Sequence, residues 1–500
     1  MSPKKFGSVF TFILCLLLLS SIALTQTFDS MKKQVKEYTL ENGMKFIVME
    51  RHDAPVASFH VYADVGSANE TYGITGISHL LEHMAFKGTK IVGTKNYEEE
   101  KTILSQMDEL YDQINREKYS IHADSLLLAD LTSKFEALRK QAKELVINNE
   151  YFDMMMQQGD AGVNAYTSND ATQYINSLPS NKLEFWMSMT SDRFLNPVFR
   201  EFYKEKDVVM EERRLGLETR PIGRLVEDFL AVAFKAHPYH HSVVGHMSDL
   251  LRITRNDVIN YFKKYYQPSN LTVAIVGDVK PKEVFKMAEL YFGRIPSGPK
   301  PEPVRTEEPK QWGERHVTVV AKSQPILVVG YHRPAETHED DAALEALANI
   351  IGQGRSSRLW ELLVKDKKVA VATGTFNGFP GSKFPNLIAF FAMSSKDHTS
   401  DECLELIDQE IEKIKQESVT DDELTKFKQS QKKAIIDGMK SNSGMAATLT
   451  HYDVIHGDWQ KAFDQIREIE KITAEDIKRV ANKYLIKKQR AIGEIVPEET

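Results

Sequence analysis

The chain has 500 residues, 42% of them hydrophobic, and a formal net charge of -7. That length calls for more than one domain, and the composition is that of an ordinary soluble globular protein with enough apolar content for large cores. The mild charge and the absence of any basic tract argue against nucleic-acid binding.

Lys4 and Lys5 precede an apolar run from Val9 to Leu24, with Ser21-Ile22-Ala23 or Ala23-Leu24-Thr25 as cleavage sites. Residues 1–25 read as a secretory signal peptide, and the run is short for a membrane span. An uncleaved membrane anchor is the alternative. Cys15 lies inside the run, after a Leu14 that does not suit a lipoprotein site. Only Cys403 is left in the mature chain, so no internal disulfide is possible. Export without disulfides fits a bacterial periplasm, with membrane association if the signal is retained.

The mature chain opens with strands. Tyr38 to Glu50 reads as a β-hairpin with a two-residue Asn42-Gly43 turn. Val56 to Val65 is a second apolar strand, ended by Gly66-Ser67-Ala68-Asn69-Glu70. The stretch His79-Leu80-Leu81-Glu82-His83 follows, in the order H-x-x-E-H. On a helix, positions i, i+3 and i+4 share a face. His79 and His83 can therefore grip one metal ion with Glu82 beside it, while Leu80 and Leu81 point into the protein. Two imidazoles suit zinc, and a third protein ligand would leave a fourth position for water. Bound zinc lowers the pKa of that water to about 7. A carboxylate touching it can take the proton and pass it to a leaving amine. The arrangement suits hydrolysis, with peptide bonds as the expected target.

The flanks, Gly73-Ile74-Thr75-Gly76-Ile77-Ser78 before and Met84-Ala85-Phe86-Lys87-Gly88-Thr89 after, make the whole run resemble the active-site helix of the insulinase/pitrilysin metallopeptidases. It is most similar to their short-chain branch, which includes the mitochondrial processing peptidase and bacterial periplasmic relatives. The resemblance covers nearly all of the mature chain except residues 101–150. It implies Zn2+ as cofactor, Glu82 as general base and Phe86 among the substrate contacts.

From Lys101 to Leu145 apolar residues recur at heptad spacing on two helices, Ile103, Met107, Leu110 and Ile114, then Leu128, Leu131, Phe135, Leu138, Ala142 and Leu145. With Tyr119 to Ser125 as the turn, and Asp124 or Ser125 as N-cap, residues 101–150 read as an inserted antiparallel helical hairpin. Its charged outer faces are either solvated or a docking surface. Gly162-Val163-Asn164-Ala165-Tyr166-Thr167-Ser168 resembles the family's edge strand. By that resemblance Asn164, Ala165, Tyr166 and Thr167 bind substrate as an added strand, which favours extended, unfolded peptides.

Glu205-Lys206-Asp207-Val208-Val209-Met210-Glu211-Glu212 resembles the family's second metal helix. Glu205 and Glu212, seven apart, share a face, and Glu211 is turned about 100° away. The resemblance implies that the later acid, Glu212, is the third zinc ligand and that Glu205 supports the site from behind. The spacing to this helix exceeds the family's by about the length of the hairpin. His237-Pro238-Tyr239-His240-His241 with His246 could form a second metal site, though the family's His-Pro-Tyr loop has no metal role.

The chain repeats itself. Thr254 and its surroundings match Thr473 at an offset of 219, and Pro55-Val56 match Pro325-Ile326 at an offset of 270. One insertion of about 51 residues in the first half, the hairpin, reconciles the two offsets. The expected fold is α/β, in the form of an α+β sandwich: two homologous domains, 30–295 and 312–500, each a mixed β-sheet packed with helices. A proline-rich linker, 296–311, joins them. The second copy has no histidine from Leu344 to Gly352, and Gln431 stands where the 219 offset places Glu212. Ser356 to Leu363 resembles the segment that leads, in active family members, to an arginine and a tyrosine reaching the substrate and the developing oxyanion. Here those positions are Val364 and Val371. Losing two such donors, each worth about 3–4 kcal/mol, would cripple an isolated chain.

The resulting expectation is a zinc endopeptidase subunit acting on peptides or unfolded polypeptides. It would work as a hetero-oligomer with a zinc-less homologue that supplies the Arg/Tyr pair, or as a homodimer. The alternative is a non-catalytic structural or peptide-binding subunit.

Overall fold

A computed structural model describes residues 28–498. The expected signal peptide, with Cys15, lies outside them. The strands are β1 (Val35–Thr39), β2 (Lys45–Glu50), β3 (Val56–Ala63), β4 (Asn164–Thr167), β5 (Thr172–Pro179), β6 (Leu271–Gly277), β7 (Arg315–Ala321), β8 (Ile326–Arg333), β9 (Ala370–Phe379), β10 (Asn386–Ser394) and β11 (Arg490–Pro497). The helices that bear on the site are α1 (Ile77–Met84), α2 (Tyr97–Lys118), α3 (Ser125–Leu145), α4 (Phe202–Arg213), α5 (Pro221–Ala233), α6 (Asp341–Gly352), α7 (Asp421–Lys440) and α8 (Asn442–His456).

Two mixed sheets form, in the orders β1-β2-β6-β3-β5-β4 and β7-β11-β8-β10-β9. The second is the first without its β1. In each, one parallel pair sits among antiparallel ones, β2 with β6 and β7 with β11. Adding the two sequence offsets carries the pair Lys45↔Thr272 onto Arg315↔Ala491, both observed registers. The two domains are thus homologous down to strand register.

Each sheet packs its own helices on one face and a helix of the other half on its second face. Leu225 and Phe229 of α5 are buried against Val319, Val328 and Ile495 of the second sheet. Met445, Ala446 and Leu449 of α8 are buried against Ile47, Met49 and Val276 of the first. The exchange is reciprocal, and each fully buried large apolar side chain contributes about 1.5–3 kcal/mol. Gly330 in β8 makes room for it: a Cβ there would stand 2.7 Å from the Phe229 ring.

The first hairpin differs from the sequence expectation. The Leu40 amide donates to Met44 O and the Gly43 amide to Leu40 O, so three residues, Glu41-Asn42-Gly43, close the turn. The Asn42 side chain is drawn inward, donating to Phe292 O and Ile295 O, and Gly43 takes the left-handed conformation at φ 94°.

The helices α2 and α3 form the antiparallel hairpin, with Asp124 capping α3 by accepting the Leu126 and Leu127 amides. Ile103, Met107, Leu131, Phe135 and Ala142 are buried, whereas Ile121 at the tip is 94% exposed. The root is not a free arm. The rings of Tyr111 and Phe135 pack on Tyr203 of α4, and Arg255 clasps Asp108. Residues 296–311 carry no regular structure, yet Glu308 accepts the amides of Lys235, Ala236 and His237, which anchors this stretch to the first half. Among the described residues no helix is long and apolar enough to cross a membrane.

Candidate metal centre

Helix α1 buries Ile77, Leu80, Leu81 and Met84 in the first core and turns His79, Glu82 and His83 toward its half-exposed face. This is the division that the 3.6-residue period imposes. The start of α1 is held by Glu70, whose two carboxyl oxygens accept the Gly76 and Ser78 amides at 2.8 Å each. These are orphan donors of a helix N-terminus. Burial pushes the Glu70 carboxyl up to about 8, against the two amides that favour its charged form.

Helix α4 brings up the acids. Oε2 of Glu212 lies 3.6 Å from His79 Nε2 and 3.5 Å from His83 Nε2. The three donor atoms fall within 4.8 Å of one another. Glu205 sits on the far side of the same ring, its Oε2 3.6 Å from His83 Nδ1 and its Oε1 2.5 Å from Lys87 Nζ. Glu211 points away and pairs with Arg214. Glu212 itself is 45% exposed, so the cluster is open to solvent.

The electrostatics fit a cation at the centre. Burial, helped by the neighbouring His83, lowers His79 to about 4, which keeps its ring neutral and one ring nitrogen free to offer its lone pair. Its Nδ1 is buried with no hydrogen-bond partner. His83 moves the other way: burial opposes the shift, but the Glu205 contact and the charges of Glu212 and Glu82 outweigh it and raise its pKa. A histidine ring between carboxylates attracts positive charge, whether a proton or a metal ion. Two imidazoles and one carboxylate meeting at one point are a zinc donor set, and His79, His83 and Glu212 would hold that ion.

Glu82 stands beside this set. Burial raises its pKa, and Thr167 Oγ1 donates to its Oε2 at 2.7 Å. Thr167 ends β4, the last strand of the first sheet, paired with β5 from Asn164↔Ile175 to Thr167↔Thr172. Asn164 and Tyr166 are exposed, Ala165 is buried, and the Tyr166 hydroxyl donates to Gln173. Phe86 lines an open cavity of about 410 Å³ with Glu82, His83, Lys87, Asn149, Phe152 and Glu205. The structure thus gathers His79, Glu82, His83, Glu205, Glu212, Phe86 and the β4 strand at one place. Sequence reasoning did not single out Lys87, one turn beyond His83, or Glu70, three residues before the loop that enters α1. The i+4 spacing of Lys87 from His83 was a usable signal.

Two other stretches read in the sequence come out as follows. The histidines of 237–246 do not converge: His237 Nδ1 accepts the Tyr239 amide, His240 meets the Tyr72 hydroxyl, and His246 faces Glu227. In the second domain, the 270 offset carries His79 and His83 onto Asn349 and Gln353, which hydrogen-bond to each other at 2.9 Å. Gln431 donates to Glu345 alongside. The three positions that correspond to His79, His83 and Glu212 are therefore all neutral amides, Asn349, Gln353 and Gln431. Val364 packs half-buried beside the second core, and Val371 is exposed on the edge strand β9.

Two family models match the chain, "Insulinase (Peptidase family M16)" over residues 45–117 and "Peptidase M16 inactive domain" over 252–431. Zinc protease PqqE of Helicobacter pylori is 29% identical over 482 residues, 94% of this chain and 95% of that protein. The probable mitochondrial-processing peptidase subunit beta of Arabidopsis thaliana is 23% identical, over 92% of this chain and 78% of its own length. A crystal structure of a protease from Helicobacter pylori superposes with a TM-score of 0.77 at 26% identity, covering 93% of this chain and 99% of that one. With two models of one family matching residues 45–117 and 252–431, together just over half of the chain, and the Helicobacter pylori relatives matched along nearly their whole length, the chain belongs to the insulinase family, peptidase family M16.

Proposed function

We propose that the chain is the zinc-bearing subunit of an exported endopeptidase that cuts peptides or unfolded polypeptides, and that it works with a zinc-less homologue. The observation that carries this is the meeting of His79, His83 and Glu212 at one point, with Glu82 beside them and bonded to the edge strand. Zinc, when bound, supplies a Lewis acid and a water of lowered pKa. The other steps belong to the chain. The free edge of β4 takes an extended peptide as an added strand, which fixes the scissile bond by backbone hydrogen bonds. Glu82 accepts the proton of the attacking water at its carboxylate and delivers it to the departing amine. Its raised pKa suits both halves of that transfer. Glu205, between Lys87 and the His83 ring, fixes the orientation of that ligand.

The second chain answers what Val364 and Val371 lack. Neither side chain has a donor, and no step of oxyanion stabilisation follows from them. A partner chain with an arginine and a tyrosine would supply it. The matched mitochondrial-processing relative is named a subunit, which supports the two-chain reading. A homodimer is the second form of the assembly. The same valines favour a second reading, a peptide-binding or structural subunit that does not cut. The N-terminal apolar run and the single mature cysteine support a periplasmic location.

The test is hydrolysis of a quenched fluorescent peptide by the mature chain with zinc, alone and mixed with a zinc-less relative. Cleavage only in the mixture supports the two-chain enzyme, and cleavage by the chain alone favours the homodimer. Glu82→Gln is expected to keep its zinc and lose at least a hundredfold in rate. Full activity in that variant removes Glu82 as base, and no cleavage under any condition leaves the peptide-binding reading.

A further inference from the structure

A second group of metal-ligand type lies away from α1 and α4, on other elements. Glu336 follows β8 in the second domain, and its amide donates to Ser382 O. His451 and His456 belong to α8, the helix that crosses over to cover the first sheet. Both imidazoles aim Nε2 at one oxygen of Glu336, at 2.6 Å from His451 and 2.8 Å from His456. All three side chains are mostly enclosed, 18% exposed for Glu336, 35% for His451 and 16% for His456, so the point where they meet is reachable from solvent but shielded.

The surroundings call for positive charge at that point. Among the described residues no lysine or arginine pairs with Glu336, whose ion-pair contacts are the two imidazoles alone. A further acid, Asp341, feels the Glu336 charge and is itself bound to Arg333. A carboxylate this enclosed is costly without a compensating partner. The His456 ring is held in place by stacking on Tyr452, centroids 4.5 Å apart and planes at 10°, so it presents a fixed lone-pair direction.

We propose that Glu336, His451 and His456 form a second divalent-metal site, of the zinc class, distinct from the one that the family's motif defines. Two imidazoles and a carboxylate are borderline-soft donors that select zinc or its first-row neighbours over magnesium or calcium. Bonds of about 2.0–2.1 Å to the ion require donors somewhat more than 3 Å apart, so the cluster opens by about half an ångström on binding. The ion would tie α8, seated on the first sheet, to the second domain. Its role is to lock the exchanged helix, and it needs no substrate.

The experiment uses the full mature chain carrying His79→Gln and His83→Gln, which removes the other centre. After chelation and dialysis against zinc, bound zinc is counted by elemental analysis, the cobalt form is examined for tetrahedral visible absorption, and Tm is compared with and without metal. One ion per chain, a tetrahedral cobalt spectrum and a higher Tm with metal are expected, all lost on adding His451→Gln and His456→Gln. The isosteric Glu336→Gln alone should weaken binding at least tenfold. If the double-Gln chain does not fold, the same count on the otherwise native chain should fall from two ions to one with His451→Gln and His456→Gln. A chain that binds no ion beyond the first, or an ion that survives the loss of both histidines, overturns the proposal and leaves a hydrogen-bonded cluster. Lack of peptidase activity has no bearing on this count, so failure of the proposed function would be seen separately.

Discussion

Thr167 on the edge strand donates its hydroxyl to Glu82 on α1, 2.7 Å away and 85 positions apart in sequence. The strand expected to align the peptide is thereby fastened to the group expected to move the proton. The bond favours the charged carboxylate and works against the burial that raises its pKa. A hydrogen bond to a charged group is worth about 1.5–3 kcal/mol. Thr167→Val keeps the shape and removes the donor. It should lower kcat ten- to a hundredfold while leaving zinc content unchanged. Metal analysis together with steady-state rates checks this, and a variant with normal kcat would reduce Thr167 to a strand residue.

Glu205 touches His83 on the nitrogen that faces away from Glu212 and is itself gripped by Lys87. On the proposed reading it orients the ring without itself binding the ion. Glu205→Ala should weaken zinc affinity about 10- to 100-fold, the usual cost of losing a group that braces a ligand. Competition with a chromophoric chelator measures it. Glu205→Gln, which keeps an acceptor for the ring N–H, should lose less. Equal affinities for all three forms would make Glu205 only half of a surface-side ion pair.

How far the sequence carried this picture depended on distance along the chain. The pair His79 and His83 was legible because helical geometry alone brings i and i+4 together. The insertion was legible from the mismatch of two repeat offsets, and strand register confirms the repeat. Asn349 and Gln353 could have been read by the same arithmetic. Glu205, Glu212 and the strand at Asn164 to Thr167 were legible only through the family resemblance; what escaped was the rest of what the fold brings together from afar. The Thr167–Glu82 bond has no local signal. The exchange of α5 and α8 between sheets is invisible to periodicity, since an apolar face does not say which core it enters. The Asn42 turn was misread for a related reason: Phe292 and Ile295, 250 and 253 positions away, capture the side chain and lengthen the loop.

The buried pair Glu100 and Arg200 fastens the loop after α1 to the root of the hairpin. Their side chains are 0% and 1% exposed, with Nε to Oε1 at 2.9 Å. Arg200 also donates to the carbonyls of Lys87, Thr89 and Val92. Removing one member leaves an unpaired charge in the interior, at a cost of about 3–5 kcal/mol. Glu100→Ala should therefore lower the urea midpoint strongly. Replacing both residues with methionine should cost less than the two single changes together, because no lone charge then remains. Additive losses would mean that the pair is not coupled.

A last prediction concerns acid stability in the second domain. Arg358 binds Glu423 through both guanidinium arms, at 2.6 and 2.9 Å, and Glu410 at 3.0 Å. The Arg358 bond is the largest influence on Glu423 and, with the Thr420 cap, outweighs burial and lowers its pKa from 4.5 to about 2. A carboxyl whose folded pKa is depressed lends stability above its unfolded value and loses it as pH falls toward the folded one. That contribution is complete above about pH 5, declines below 4.5 and is gone near 2. Glu423→Gln cannot be charged at any pH. Its Tm should lie below that of the native chain at pH 6, and the two should converge as pH is lowered from 5 toward 3. A gap that stays constant over that range would mean that Glu423 acts through its helix-capping bond to Thr420 and not through its charge.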